Sequence, residues 1–113
     1  MKNPKFELFS GIGKNDYFFN LKAGNGEKIL GSESYTSKHA AVHSIASVKR
    51  NAPYYKQYER RFNSDNNTYT FVLKAENGEI IGRSETYPSA YSRDEGIEAV
   101  RRNAPEAPTD DLT

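Results

Sequence analysis

Two Ser-Glu-x-Tyr tetrads are the most chemically suggestive polar groups of the chain: Ser32-Glu33-Ser34-Tyr35 and Ser84-Glu85-Thr86-Tyr87. A carboxylate flanked by a hydroxyl and a phenol can bind a polar ligand or exchange protons once geometry brings the groups together. The plainer role is favoured: Ser and Glu satisfy loop amides or cap the next helix while Tyr packs beneath it. Arg50-Asn51 and Arg102-Asn103 open two identical R-N-A-P endings and, with Lys49 and Arg101, make two basic clusters. Such clusters suit phosphate or nucleic acid. Cations at a helix C-terminus are also favourable with no ligand at all. His39 and His43 have the i, i+4 spacing of paired metal ligands on a helix. They point away from the apolar stripe of that helix, and no cysteine or third histidine is available to join them. No metal and no cofactor is expected.

Other reaction signatures do not form. Gly24 and Gly26 lack the strand-then-helix context of a phosphate-binding G-x-G-x-x-G loop. No G-x-S-x-G elbow occurs.

The elements that must hold these residues come in two near-copies. Tyr17–Pro53 and Tyr69–Pro105 align at a constant offset of 52 residues without a gap, and 19 of 37 positions are identical. That degree of identity calls for one structural unit used twice. Each copy begins with a short alternating strand, Lys5–Ser10 and Tyr58–Phe62. Tyr17–Ala23 and Tyr69–Ala75 then alternate apolar and polar residues as half-buried strands do. Gly11, Gly13, Asn15 and Asp16 make a turn-rich link between the first two strands. Asn25-Gly26 and Asn77-Gly78 are hairpin turns. A three-residue loop with a Gly bulge is preferred over a two-residue turn, and it sets Ile29 opposite Leu21.

The returning strands lead into helices. Ser37 is placed to cap a helix over Lys38–Asn51, with Ala41, Ile45, Val48 and Ala52 as its buried stripe. Pro53 stops it. The second helix starts after Pro88-Ser89, or one turn later at a Ser92/Glu95 capping box, and buries Ile97, Val100 and Ala104. Residues 106–113 are acidic and contain proline, and a disordered tail is expected there.

Composition narrows the function classes. The 113 residues carry 16 basic and 15 acidic side chains, a net charge of +1, which gives little drive toward nucleic acid or anionic membrane. No apolar run approaches the ~20 residues of a membrane span. The opening residues lack the apolar stretch of a signal peptide, so a soluble cytoplasmic protein is expected. Mean hydropathy is low, at -0.87. The 8 tyrosines and 6 phenylalanines must therefore carry much of the core, since each buried ring removes roughly 150–250 Å² from water. One 52-residue unit is marginal alone, so the copies 5–53 and 57–105 are expected to share one core in a single domain, 1–105. The expected fold is α+β: two tandem β-β-β-α repeats forming one antiparallel sheet, both helices on one face, about a pseudo-twofold axis.

The elements F-x-L-K-A-x-N-G-E, S-E-x-Y-x-S and I-x-x-V-[KR]-R-N-A, twice in order, resemble the YegP-like family of small bacterial proteins. The resemblance covers Phe6 to Pro105. It implies two β-β-β-α units joined in one sheet, with helices exchanged between halves, in a monomeric pseudo-dimer. It implies no established activity and no catalytic residue. Lys28 stands where Ile80 does in the other copy, and Gly82 where Leu30 does, which blurs the buried face of the returning strands.

A non-enzymatic module binding a protein or a small polar ligand is the expected function. Two alternatives remain: a nucleic-acid binder using an open sheet face with Phe18 and Lys22, and an enzyme with twin sites at Glu33 and Glu85. Candidate binding residues are Ser32, Glu33, Tyr35, Ser84, Glu85, Tyr87, Arg50, Asn51, Arg102 and Asn103.

Overall fold

Alternating strands and two single-striped helices have one economical solution, a sheet with both helices laid on its apolar face. A computed structural model describes residues 3–12 and 15–113; Gly13 of the first turn lies outside them. In chain order the elements are β1 (Lys5–Ser10), β2 (Tyr17–Lys22), β3 (Lys28–Gly31), α1 (Lys38–Asn51), β4 (Tyr58–Asn63), β5 (Thr68–Lys74), β6 (Ile80–Arg83), α2 (Ala90–Asn103) and β7 (Thr109–Asp111). They form an α+β fold with one seven-stranded sheet in the order β4-β5-β6-β3-β2-β1-β7. The two sets of strands meet at the centre, where Gly31 of β3 pairs with Arg83 of β6.

The sheet is mixed rather than antiparallel throughout. β7 runs parallel to β1, pairing Thr109 with Phe6, Asp110 with Glu7 and Asp111 with Leu8. This corrects the expectation of a disordered tail over 106–113. Ala107 is buried in the core, the Phe6 amide donates to the Pro108 carbonyl at 2.8 Å, and the Leu112 amide donates to Leu8 at 2.7 Å. Asp110 reaches Lys5 at 3.1 Å and Asp111 reaches Lys38 at 2.6 Å. Thus the acidity that reads as a sign of disorder finds cationic partners on β1 and α1, while Ala107 and the backbone bonds hold the segment.

Both hairpins have a three-residue loop. Gly26 and Gly78 adopt φ +86° and +87°, a region that costs glycine nothing. The Asn25 and Asn77 side chains accept from the amides two residues on, each at 3.0 Å. The pairing beyond the loop differs from expectation: Lys22 pairs with Lys28, but Leu21 pairs with Leu30 rather than Ile29. A second bulge at Ile29 absorbs the extra residue. It turns both Ile29 and Leu30 inward, and both are buried. The β5–β6 hairpin does the same at Ile81, with Leu73 opposite Gly82. Gly82 is required there, because an added Cβ would lie 2.6 Å from a Leu30 methyl.

Ser37 caps α1, accepting from the Ala40 amide at 3.0 Å. Ser89 caps α2 by accepting from Ser92 at 3.0 Å, which excludes the later start at Ser92. One core joins Phe6, Leu8, Phe19, Leu21, Phe71 and Leu73 of the sheet to Ile45, Val48, Ile97 and Val100 of the helices. α1 packs on β1 and β2 and extends to β5 and β6; α2 packs on β5 and β3. Among the described residues no helix is long and apolar enough to cross a membrane.

Candidate functional site

The first serine of each tetrad is committed to the backbone. Where β3 parts from β2, the Ser32 hydroxyl accepts from the Phe19 amide at 2.9 Å and donates to the Glu33 carbonyl at 2.8 Å. Ser84 repeats this with Phe71 at 2.9 Å and Glu85 at 2.7 Å. Each completes a strand amide that would otherwise be orphaned beside the core. Tyr35 bridges to Tyr17 and Tyr87 to Tyr69. The Tyr35 ring stacks on Phe19 at 6.3 Å, and its hydroxyl meets that of Ser44 at 2.6 Å. In the other half Gly96 replaces Ser44, and the Tyr87 hydroxyl fills the space: a Cβ on Gly96 would lie 2.4 Å from it. Burial raises the Tyr87 pKa above its ordinary value.

The two glutamates diverge. Glu33 is 57% exposed and accepts from the Arg83 guanidinium at 2.6 Å, across the central strand pair. Position 31, the counterpart of Arg83, is a glycine, so Glu85 has no equivalent partner. The expectation of twin sites therefore does not match the geometry.

The helix ends diverge as well. Asn51 is 2% exposed. Its amide donates to the Ser47 carbonyl at 2.8 Å and accepts from Gln57 at 3.1 Å, and Gln57 also donates to the Lys74 carbonyl at 2.9 Å. Asn51 thus locks the end of α1 to β5. Asn103 is half-buried, and Arg102 is exposed. Arg101, not Arg102, is the engaged cation at the C-terminal end of α2. It stacks over Tyr55 at 3.9 Å and pairs with Glu98 at 2.8 Å.

Only Glu33, Tyr35 and Arg50 of the sequence candidates come together. They line an open cleft of about 1120 Å³ between α1 and the β5–β6 turn. His39, His43, Ser47 and Arg50 form one wall; Glu76, Asn77, Gly78 and Glu79 form the other; Ala40, Ala75, Ile80 and Ile81 supply apolar surface. Arg50 makes no ion pair among the described residues. The opposite wall was missed in the sequence because it comes from the other copy. The signal was present in the alignment: Tyr91 and Glu95 replace His39 and His43, while Glu76 replaces Gly24. Among the described residues no three metal-ligating side chains converge.

The sheet face away from the helices is open, and its two strand carboxylates, Glu7 and Glu59, are each shared by two cations. Glu7 pairs with Lys22 at 2.9 Å and Lys5 at 3.5 Å. Glu59 pairs with Lys74 at 2.7 Å and with Arg61. The Lys22 hydrogen bond lowers the Glu7 pKa; Lys74 and Arg61 hold Glu59 down at about 2. Val72 is buried among these charged neighbours. Phe9, on β1, stacks on Phe18 at 5.6 Å, adding a second aromatic to this face. Each of these cations already lies beside a carboxylate, which weakens attraction for a phosphate backbone.

Comparison with known proteins agrees with the fold. A family model described as a domain of unknown function, DUF1508, matches twice, over residues 14–59 and 64–111. The solution NMR structure of yegP from E. coli, described as a protein of unknown function, superimposes with a TM-score of 0.89 at 45% identity, covering 100% of this chain and 96% of that one. The UPF0339 protein SO3888 from Shewanella oneidensis gives 0.89 at 41% identity, covering 98% and 92%. A UPF0339 protein of Bordetella pertussis is 54% identical over 97 residues, 86% of each chain. The UPF0339 protein in the ptx operon 5' region of Stutzerimonas stutzeri is 42% identical over 102 residues, 90% of each chain. Two consecutive matches to the family model, and relatives this similar over most of their length, place the chain in the DUF1508 family, the UPF0339 or YegP-like proteins, whose function is unknown.

Proposed function

We propose that this chain is a monomeric, non-enzymatic binding module of the cytoplasm that takes one small polar ligand in the cleft between α1 and the β5–β6 turn. Its frame is a pair of β-β-β-α halves about a pseudo-twofold axis. Supporting this, β1–β2 and β4–β5 share one register at the offset of 52 residues, and α1 reaches across to the other half's β5 and β6. The observation that carries the assignment is the asymmetry of the cleft. Arg50, His39 and His43 face Glu76 and Glu79 in one half only, and core packing gives no reason for two otherwise matched halves to differ there. Arg50 opposite an acidic wall, with apolar surface between, suits a small ligand bearing an anionic group for Arg50. The non-enzymatic part rests on the hydroxyls. Ser32, Ser84 and Tyr35 are spent on structural bonds, so none of these three hydroxyls is poised as a nucleophile.

The test is an amide NMR titration of the full chain with pooled amino acids and small carboxylates at millimolar concentration. Shifts clustering on Ser47, Arg50, Asn77 and Glu79, and lost in Arg50→Ala, are expected. Shifts confined to the open sheet face, or none, would overturn the cleft. Conversion of the ligand during the titration would overturn the non-enzymatic assignment.

A further inference from the structure

The two ends of the sheet are unequal. β7 covers the outer edge of β1, whereas β4 closes the other end with no strand beyond it among the described residues. Because β1–β2 and β4–β5 share a register, each group on the covered edge has a counterpart on the bare one. Leu8, whose carbonyl accepts from the Leu112 amide, corresponds to Arg60. Phe6 corresponds to Tyr58, whose amide is already used by the Tyr55 carbonyl. The Arg60 amide and carbonyl therefore stand at an unpaired strand edge, a ready template for another extended segment.

The charges at this edge specify what fits. On the open face at β1, Lys5 and Lys22 share Glu7, and Asp110 of β7 supplies a second carboxylate to Lys5. At β4, Arg61 and Lys74 share Glu59, and the second carboxylate is missing. On the helix face at β1, Lys38 is matched by Asp111 of β7. At β4, Arg60 and Arg93 converge on one carboxylate, Asp94, at 2.9 and 3.2 Å. Each face of the β4 rim thus holds two cations for one anion. Beside them Phe62 and Tyr91 are 51% and 75% exposed.

We infer that the bare edge of β4 docks an extended acidic segment of a partner protein, parallel to β4. Its two consecutive carboxylates divide between the faces as Asp110 and Asp111 do on β1. One reaches Arg61 on the open face, and the next reaches Arg60 and Arg93 on the helix face. The assignment is independent of the cleft, which lies on the far side of β5 and involves none of these residues.

The probe is a capped synthetic peptide of residues 107–113, Ala-Pro-Thr-Asp-Asp-Leu-Thr, titrated into the isotope-labelled full chain. Saturable shifts at Arg60, Arg61 and Phe62 are expected. They should be lost when both aspartates of the peptide become lysine, or when its alternate backbone amides are N-methylated to block strand pairing. Arg61→Ala should weaken binding about threefold, the scale of one exposed ion pair. Because the decisive controls alter only the peptide, the result does not depend on the variant folding. Shifts along Lys5–Leu8 would mean that the peptide merely exchanges with β7, and would overturn the proposal. So would undiminished binding of the N-methylated peptide, or no saturable shift at millimolar peptide.

Discussion

Asn51 and Asn103 occupy the same place in two identical R-N-A-P endings, yet their replacement should have unequal effects. In Asn51→Ala two short hydrogen bonds disappear, one donated to the Ser47 carbonyl at 2.8 Å and one accepted from Gln57 at 3.1 Å, together with a longer third to the Ser47 hydroxyl at 3.3 Å that shares the same amide nitrogen and adds little. Gln57 keeps its bond to the Lys74 carbonyl, so it is not orphaned. At about 1 kcal/mol net per bond, with under 1 kcal/mol more for the void at a position 2% exposed, the loss is about 2–3 kcal/mol. For a domain of this size that lowers Tm by roughly 10 °C. Asn103 is half-buried and its side chain makes no hydrogen bond among the described residues, so Asn103→Ala should cost under about 0.5 kcal/mol. Urea denaturation of both variants, with m unchanged, separates the two. Equal losses, or a loss at Asn51 below 1 kcal/mol (on the order of one hydrogen bond), would refute the claim that Asn51 is the lock between α1 and β5.

Ser32→Ala and Ser84→Ala should each cost about 1–3 kcal/mol, because each leaves a strand amide, Phe19 or Phe71, without its acceptor; Glu33→Gln, at an exposed pair, should change stability by under about 0.5 kcal/mol in the same urea titrations. Deleting residues 106–113 should lower Tm and speed exchange of the Phe6 amide, which loses its acceptor at Pro108; a thermal melt reads the first and hydrogen exchange by NMR the second. Stability should also depend on pH at both extremes. Glu59 and Asp111 have folded pKa values of about 2 through their hydrogen bonds to Lys74 and Lys38. A depressed pKa contributes stability that is complete above the unfolded value and lost as pH falls through the folded one, so the urea midpoint should decline between about pH 5 and 2. Burial raises the Tyr58 pKa, so its contribution is complete below about pH 10 and fades above it; Tyr58→Phe should flatten that alkaline limb.

The legible parts of the fold are those decided by neighbours in sequence. Asn25-Gly26 and Asn77-Gly78, the Ser37 cap and the Ala41/Ile45/Val48/Ala52 stripe are all local, and the structure places them as read. The second bulge was hidden because Ile29 and Leu30 are both apolar and of opposite parity; only the joint demand of the core settles that both turn inward. β7 was hidden for a different reason. Its acidity has meaning only beside Lys5 and Lys38, more than 70 residues away, whereas a composition rule sees only the segment itself. For the candidate site, Glu33, Tyr35 and Arg50 are legible in the sequence, but the wall facing them comes from the far hairpin. The identical S-E-x-Y letters concealed unequal surroundings, since Arg83 faces Glu33 and no arginine occupies position 31.

The hydrogen bond from the Phe6 amide to the Pro108 carbonyl has a consequence for how the polypeptide can be cut. It brings the first strand and the segment after the last helix side by side, so the path of the chain is very nearly a ring. A ring has no privileged opening. A linker from Thr113 to Lys5, long enough to run back along β7, with a new start at Tyr58, would present the same strands and helices in rotated order. Such a permutant should refold to the same core, with the long-range closure it needs now made covalently and the Tyr55–Tyr58 link left open instead.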